Sequence, residues 1–589
     1  MPTMILAVRT PYNLPMRFPT TRSFLSFLEK KGTLARVRVP VDPVLEITEI
    51  ASRVMEKGGP AILFENPVGS RFPIAINLFG TPERLRWAIG DREPEEVGEE
   101  VLALVKAGAG VDPKKLYRSL KTAKRVLSLR PKTKRAGFRA RVNSLDELPV
   151  LKCWPKDGGR FFTLPIVRTE DPETGIGNCG MYRLQVYDGM TTGMHWHPHR
   201  GGAAHYARAE ARGKPLPVAV ALGGPPALTF ATIAPLPQDL DEYLLAGWLM
   251  GEPLRVSRLP NGLVVPSDAD LVLWGHVPPG ERRTEGPFGD HFGYYSLERD
   301  FPVFHIQGIL AREDAVYPAT IVGKPPKEDG VIGKAVERMF TPLLRLQVPE
   351  LVDLNTPLES GFHNLAIASA KPVFPRAGVK VALALWGLGA MALTKTIVIV
   401  DDTVDPHDLS AVWRAISENF MPSEDMILVP EGPADTLDIS SPHPDRGSKV
   451  CLDATGKPWR KPLSWEQAEL PELTHRWEEG VLFVSVNKKG PGQALRLIHR
   501  IWAKVKPRLT FITDSDVDIF SDRELLWGVF SRFDPGRDGV VSGDGLCLAV
   551  DATAKLPAEG HERPWPEALE MSGEIKEKVD RRWQEYGIM

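Results

Sequence analysis

Apolar positions change their period several times along the chain, and each change predicts a different kind of element. From Leu45 to Met55 the apolar residues Ile47, Ile50, Ala51 and Val54 recur at helical spacing, whereas AILFEN and FPIAIN are short apolar runs bounded by Gly and Pro, as strands are. The N-terminal region therefore reads as mixed α and β. Between about residues 145 and 335, Gly and Pro break the chain into short runs such as RLQVYDG, PVAVALGG, GLVVPS, DLVLWGHV and VFHIQGIL. Strands at that spacing predict a barrel or sandwich. Beyond Lys334 longer units alternate, among them KAVERMFTPLLRLQVPEL, KTIVIVDD and LSAVWRAISENF. That alternation predicts an α/β domain with a partly parallel sheet.

The C-terminal part echoes itself. Shifting IVIVDDTVDPHDLSAVWRAISENFMPSED by 113 positions lays it without a gap on TFITDSDVDIFSDRELLWGVFSRFDPGRD, pairing Asp401 with Asp514, Phe420 with Phe533 and Asp425 with Asp538. A DAT-x-K motif follows each copy, at Asp453 to Lys457 and at Asp551 to Lys555, offset by 98. The last 110 or so residues are expected to be a degenerate duplicate of the preceding α/β unit, structural in role because active-site motifs are not repeated in it.

Composition narrows the class. The 589 residues allow several domains; 43% hydrophobic and 25% charged residues with a net charge of -2 exclude wholesale disorder and a protein that holds nucleic acid by charge alone. Four cysteines, Cys153, Cys179, Cys451 and Cys547, stand far apart without CxxC spacing, which fits a reducing cytoplasm better than a disulfide framework. No apolar run is long enough to span a bilayer, and the N-terminus lacks a signal layout. Residues 1–16 are expected to be a disordered extension. Residues 113–142 carry twelve Lys or Arg and no acid, with Leu116, Leu120, Ala123 and Leu127 at helical spacing. They read as a solvated linker helix, the sharper alternative being a face for anionic lipid headgroups.

Reactive side chains crowd between Asn178 and Asp290. Asn178 and Arg183 flank Gly180, and Arg183 offers a planar, permanently charged fork for a carboxylate or phosphate. In GMHWHPHRGGAAHY, His195, His197 and His199 alternate, so an extended segment puts them on one face, and Gly201 and Gly202 would let backbone N–H groups approach a phosphate. Without HExxH spacing a zinc hydrolase is disfavoured, and at least one of these histidines is expected to be structural. Glu285 and Asp290 lie on the turn-rich loop EGPFGD. If the two carboxylates converge, repulsion and partial burial would raise one pKa enough for proton donation near neutrality.

Eight segments in order, GNCGMYRLQVYD, MHWHPHRGGAAHY, ALGGPPALTFATIAPLP, LDEYLLAGWLMGEPL, EGPFGDHFGYYS, YPATIVGKPPKEDG, TKTIVIVDDTVDP and GSKVCLDATGKP, resemble the UbiD family of reversible decarboxylases over about residues 17 to 460. The resemblance implies an α/β multidomain fold: an N-terminal α/β domain with the basic segment (17–142), a split β-barrel cofactor domain (143–335) and a C-terminal α/β domain (336–470), to which the internal echo adds the degenerate repeat (471–589). It also implies prenylated FMN supplied by a UbiX-type prenyltransferase, a divalent metal, usually manganese, and potassium at the phosphate. Matched by motif, Asn178, His199 and Glu242 would hold the metal. Met181, Tyr182, Arg183, His195, Trp196, His197, Arg200, Gly201 and Lys395 would contact the cofactor, and Arg183, Glu285 and Asp290 would be catalytic. A lost carboxylate leaves an electron pair that no side chain can accept, so decarboxylation at an sp² carbon needs such a cofactor. The expected substrate is a hydroxybenzoate or naphthoate, with or without a polyprenyl chain, of ubiquinone or menaquinone biosynthesis, turned over by a cytoplasmic homo-oligomer, dimer or hexamer, with peripheral contact at the inner membrane face as a variant and no nucleic acid involved. The alternatives are a carboxylase or decarboxylase of small aromatic or acrylic acids, or a non-catalytic flavin-binding protein.

Overall fold

The computed structural model describes residues 17–108, 124, 127–197, 201–236 and 240–588. The expectations for residues 1–16, for His199 and Arg200, and for most of the basic stretch before Leu127 lie outside the described residues.

The helix Glu46–Glu56 buries Ile47, Ile50, Ala51 and Val54, the four positions its period singles out. It belongs to an N-terminal layer whose sheet runs Leu34–Val37, Ala61–Phe64, Ile74–Ile76 and Tyr317–Pro318. The last of these strands comes from far down the chain, so the N-terminal unit is not closed by a boundary near residue 142. The basic stretch, too, ends differently from a linker helix. Lys132–Thr133 pairs in parallel with Arg255–Val256, and Ala140–Val142 pairs with Ile309–Ala311.

The centre is an antiparallel sheet in the order Thr191–Gly193, Arg299–Ala311, Leu271–Val277, Leu216–Leu222, Ile166–Glu170 and Gly177–Met181. Arg282–Glu285 also pairs with the long strand Arg299–Ala311. Val218 and Val220 face one apolar core while Ala219 and Ala221 face another, which explains why PVAVAL reads as a continuous apolar run. Among the described residues the two end strands do not pair, so the sheet is open and no closed barrel forms.

Beyond it lie two five-stranded sheets. One runs Leu351–Asn355, Leu365–Ala370, Thr396–Asp401, Arg446–Asp453, Met426–Pro433, and the other Thr474–Glu478, Val481–Val486, Leu509–Asp514, Leu548–Ala552, Gly539–Val541. In both, the outer pairs are antiparallel and the inner pairs parallel. A single apolar core joins them, with Trp413 packed on Phe483 and Phe483 stacked on Phe511 at 5.6 Å. The helix Gly573–Arg582 then returns to the N-terminal layer, where Lys578 (2.8 Å), Arg582 (2.5 Å) and the Tyr586 hydroxyl (2.8 Å) hold the buried Glu46 carboxylate.

Candidate active site

Arg183 follows the strand Gly177–Met181, His195 follows Thr191–Gly193, and Glu285 closes Arg282–Glu285, so the central sheet brings all three to one place. Arg183 Nε donates to Glu285 Oε1 at 2.9 Å, its Nη1 to Asp290 Oδ2, and its Nη2 to Ser296 Oγ at 3.3 Å. The guanidinium lies 4.5 Å from the Phe288 ring centre. His195 Nδ1 is 2.7 Å from Glu285 Oε1, and His195 Nε2 is 3.0 Å from His197 Nε2. From the neighbouring α/β unit, Thr436 Oγ1 reaches His197 Nδ1 at 3.2 Å. Glu285 Oε2 is buried and has no hydrogen-bond partner among the described residues.

The loop is shaped as well as charged. Gly286 takes a φ of +106°, which a side chain would strain. Asp157 ties the loop down: its Oδ1 accepts from Gly289 N at 2.8 Å, while Oδ2 accepts from Cys153 N and Trp154 N at 3.0 and 2.8 Å.

The proton inventory corrects the expectation of a raised Glu285 or Asp290. Burial opposes ionisation of Glu285, but the charges of His195 and Arg183 outweigh it and hold the carboxyl below its ordinary value. Burial likewise opposes the charge on Asp290; the His291 hydrogen bond and the Arg183 charge overcome it and hold the acid well below the carboxylate range. The two carboxylates do not repel one another into protonation because one guanidinium stands between them. The proton resides instead on His291, whose Nδ1 lies 2.9 Å from Asp290 Oδ1. Burial disfavours its charge, yet Asp290 holds its pKa up to about 9. His195 is shifted the other way, lowered by burial and by Arg183.

A second group forms around Asn178. Glu242, the first residue of the helix Glu242–Met250, accepts from Cys179 N at 2.7 Å, which sets its carboxylate beside the Asn178–Cys179 peptide. Burial pushes the Glu242 acid up to about 7, the behaviour of a carboxylate placed for a cation that side chains do not supply. Asn178 Oδ1 lies 2.1 Å from where a Cβ on Gly201 would fall, so only glycine allows that approach. An amide oxygen and a carboxylate suit a hard or borderline divalent ion. Gly201 and Gly202 lie in the helix Gly201–Ala211, and the buried indole N–H of Trp196 beside Gly202 has no hydrogen-bond partner among the described residues. Bare glycine backbone and an indole donor fit a phosphate-bearing cofactor. Met181 ends its strand half-buried, and Tyr182 OH accepts from Gly202 N at 3.4 Å.

Lys395, expected at the cofactor, is buried. Its buried ammonium is held by Ser440 Oγ at 2.9 Å and by Asp438 at 3.2 Å, inside the C-terminal unit. His205 is buried, with its Nδ1 2.9 Å from Thr169 Oγ1. Sequence reasoning missed His291 and Ser296, although both sit inside the quoted EGPFGDHFGYYS segment, and it missed Asp157 and Thr436, which only the fold brings to the loop and to His197.

Comparison with known proteins agrees with this chemistry. Residues 25–105 match the N-terminal, residues 128–325 the Rift-related, and residues 330–454 and 467–562 the C-terminal domain of 3-octaprenyl-4-hydroxybenzoate carboxy-lyase. The class is therefore a carboxy-lyase, and the chain belongs to the UbiD family of decarboxylases. It is 36% identical over 590 residues to a Chlamydia pneumoniae protein named as part of a 4-hydroxybenzoate decarboxylase, covering 96% of this chain and 98% of that one. Its fold is similar to the vanillic acid decarboxylase of Sedimentibacter hydroxybenzoicus in closed form, with a TM-score of 0.66 and 25% identity over 82% of this chain and 99% of that one. It is also similar to the UbiD-class enzyme HmfF from Pelotomaculum thermopropionicum in complex with FMN, with a TM-score of 0.63 and 26% identity over 77% of this chain and 97% of that one. Among the described residues no helix is long and apolar enough to cross a membrane.

Proposed function

We propose that this chain removes carbon dioxide from a hydroxylated aromatic acid, with 4-hydroxybenzoate the first candidate, using prenylated FMN and a divalent metal. The observation that carries this reading is one guanidinium, Arg183, held between two buried carboxylates, Glu285 and Asp290, with the protonated His291 behind them. The relatives named for 4-hydroxybenzoate and vanillic acid, and the one solved with FMN, support the substrate class and the cofactor.

When bound, the modified flavin supplies the sink for the electron pair that carbon dioxide leaves behind. Arg183 orients the substrate carboxylate, and Glu285, ionised and locked to His195, holds Arg183 in place. Asp290 relays a proton from His291 Nδ1 to the carbon that has lost its carboxylate, so one proton enters as carbon dioxide leaves. Phe288 and Phe301, both buried, keep bulk water from the cluster. Asn178, Glu242 and His199 would hold manganese or a similar ion, and the glycine turn with Arg200 the phosphate, with potassium beside it. Supply by a UbiX-type prenyltransferase, homo-oligomerisation and a place in quinone biosynthesis belong to the same reading. The octaprenyl substrate in the matched domains' description supports the last.

We also read the two five-stranded sheets as copies of one unit, on the support of their shared strand order and pairing sense. Expression beside a flavin prenyltransferase, followed by mass spectrometry, metal analysis and a panel of hydroxybenzoates and naphthoates, tests the function. Modified flavin, metal and carbon dioxide release are the expected result; a purified protein that takes up neither flavin nor metal would overturn it.

A further inference from the structure

Away from the Arg183 cluster, a crevice of about 710 Å³ opens at the carboxyl ends of the parallel strands Leu365–Ala370, Thr396–Asp401 and Arg446–Asp453. Open α/β sheets bind ligands at this end. The N-terminus of the ten-residue helix Ala377–Trp386 points at it, with a left-handed cap residue, Arg376, that makes no side-chain capping bond. Asp453, fully buried, lines the crevice. Its Oδ1 accepts from Thr455 N and Oγ1 and lies 3.4 Å from the Lys457 ammonium; its Oδ2, with Arg376 Nη1 at 3.9 Å, has no hydrogen-bond partner among the described residues. Val373, Phe374 and Trp459 leave 63%, 44% and 53% of their surface exposed on its walls.

The second five-stranded unit holds the same crevice with something in it. There the loop after the third parallel strand repeats the network atom for atom. Ala554 N donates to Asp514 Oδ2 as Gly456 N does to Asp401 Oδ2, Thr553 Oγ1 to Asp551 Oδ1 as Thr455 to Asp453, and Lys555 to two backbone carbonyls as Lys457 does. The helix Gln493–Trp502 again starts from a left-handed cap, Gly492. But Lys488 lays its ammonium on Thr553 Oγ1 at 3.0 Å and the Ala554 carbonyl at 2.7 Å, and Glu559 lays its carboxylate on Gly492 N at 2.9 Å. Ammonium and carboxylate touch at 2.5 Å. What remains of that crevice is about 400 Å³, and neither Thr553 nor Ala554 lines it. Pro372 is the second residue after the strand Leu365–Ala370, as Lys488 is after Val481–Val486, and Lys461 follows Lys457 by four as Glu559 follows Lys555, so the first unit lacks that pair.

The plug is an ammonium and a carboxylate in contact, the arrangement a free α-amino acid carries in one molecule. We propose that the first crevice binds a free α-amino acid with an apolar side chain. Its carboxylate rests on the N-terminus of Ala377–Trp386 beside Arg376, its ammonium on the Thr455 hydroxyl, the Gly456 carbonyl and Asp453 Oδ2, and its side chain against Phe374 and Trp459. Helix N-terminus and Arg376 favour the anion, and the buried carboxylate favours the cation.

Calorimetric titration of the full-length holoenzyme with L-phenylalanine and L-leucine tests this, with phenethylamine and 3-phenylpropanoate as one-ended probes. One saturable site per chain is expected, in the millimolar range or tighter, with each one-ended probe at least about tenfold weaker. The double variant Pro372→Lys/Lys461→Glu, which rebuilds the plug, should lose amino acid binding while keeping flavin content and circular dichroism. Arg376→Ala, which also takes one partner from the buried Asp425 and leaves Arg460 on its other oxygen, should weaken it at least about tenfold, and Phe374→Ala, on the exposed wall, should weaken it too and decides the matter if the other variants fail to fold. Absence of binding by both amino acids, or binding unchanged in the variants, would overturn the proposal.

Discussion

At the residue scale the site turns on where one proton sits. Asp290 is ionised and His291 carries the charge, so the pair, not either acid alone, forms the donor. Asp290→Asn keeps the volume but cannot relay the proton, and turnover should fall about a hundredfold to ten-thousandfold with flavin content nearly unchanged. Steady-state rates on protein of verified loading check this, and near-normal turnover would move the proton source elsewhere. The same pair sets a pH dependence. A histidine held up to about 9 in the fold stabilises it fully below the free-histidine value of about 6.5, and that contribution is lost as pH rises through about 9. Thermal midpoints measured across that window should decline in the wild type and decline less in Asp290→Asn, where His291 has lost the charge that raises it. Glu242→Gln should act on the other group, lowering metal content and with it cofactor retention, because a charged ligand is gone; metal analysis of purified protein reads this directly.

At the scale of elements, Asp157 ties the loop EGPFGDH to the Cys153–Trp154 segment, accepting from Gly289 N in the loop and from Cys153 N and Trp154 N beside it. Asp157→Ala leaves those buried donors without partners, each costing about 1–3 kcal/mol, and should loosen the loop enough to lower kcat more than it lowers flavin content. Much of this was legible beforehand. The helix Glu46–Glu56 follows its apolar period, and the motif order places Arg183, Glu285 and Asp290 together. What the sequence hides is pairing at a distance. Tyr317–Pro318 completes the N-terminal sheet and Thr436 reaches His197, contacts between segments with no local signature. The raised carboxyl pKa was misread for a related reason. Two acids five residues apart imply repulsion, and only the fold shows Arg183 standing between them.

At the scale of the whole molecule, the two five-stranded sheets share one core, so the C-terminal sheet supports the unit that lends Thr436 to the site. Phe511→Ala, deep in that core, should cost about 3–5 kcal/mol and lower the denaturation midpoint with the site's own residues untouched. The helix Gly573–Arg582 closes the chain onto Glu46, which ties the far end to the N-terminal layer. The central sheet and the unit that carries Thr436 frame the Arg183 cluster, and the central claim is that this cluster decarboxylates an aromatic acid. The most direct measurement is labelled carbon dioxide release from carboxyl-labelled 4-hydroxybenzoate by flavin-loaded protein, run beside an Arg183→Met variant of equal loading. The account predicts steady release by the wild type, with one ring proton taken from solvent for each carbon dioxide, and loss of that release in the variant. Equal release by both proteins, or none from any hydroxylated aromatic acid by a fully loaded wild type, would contradict it.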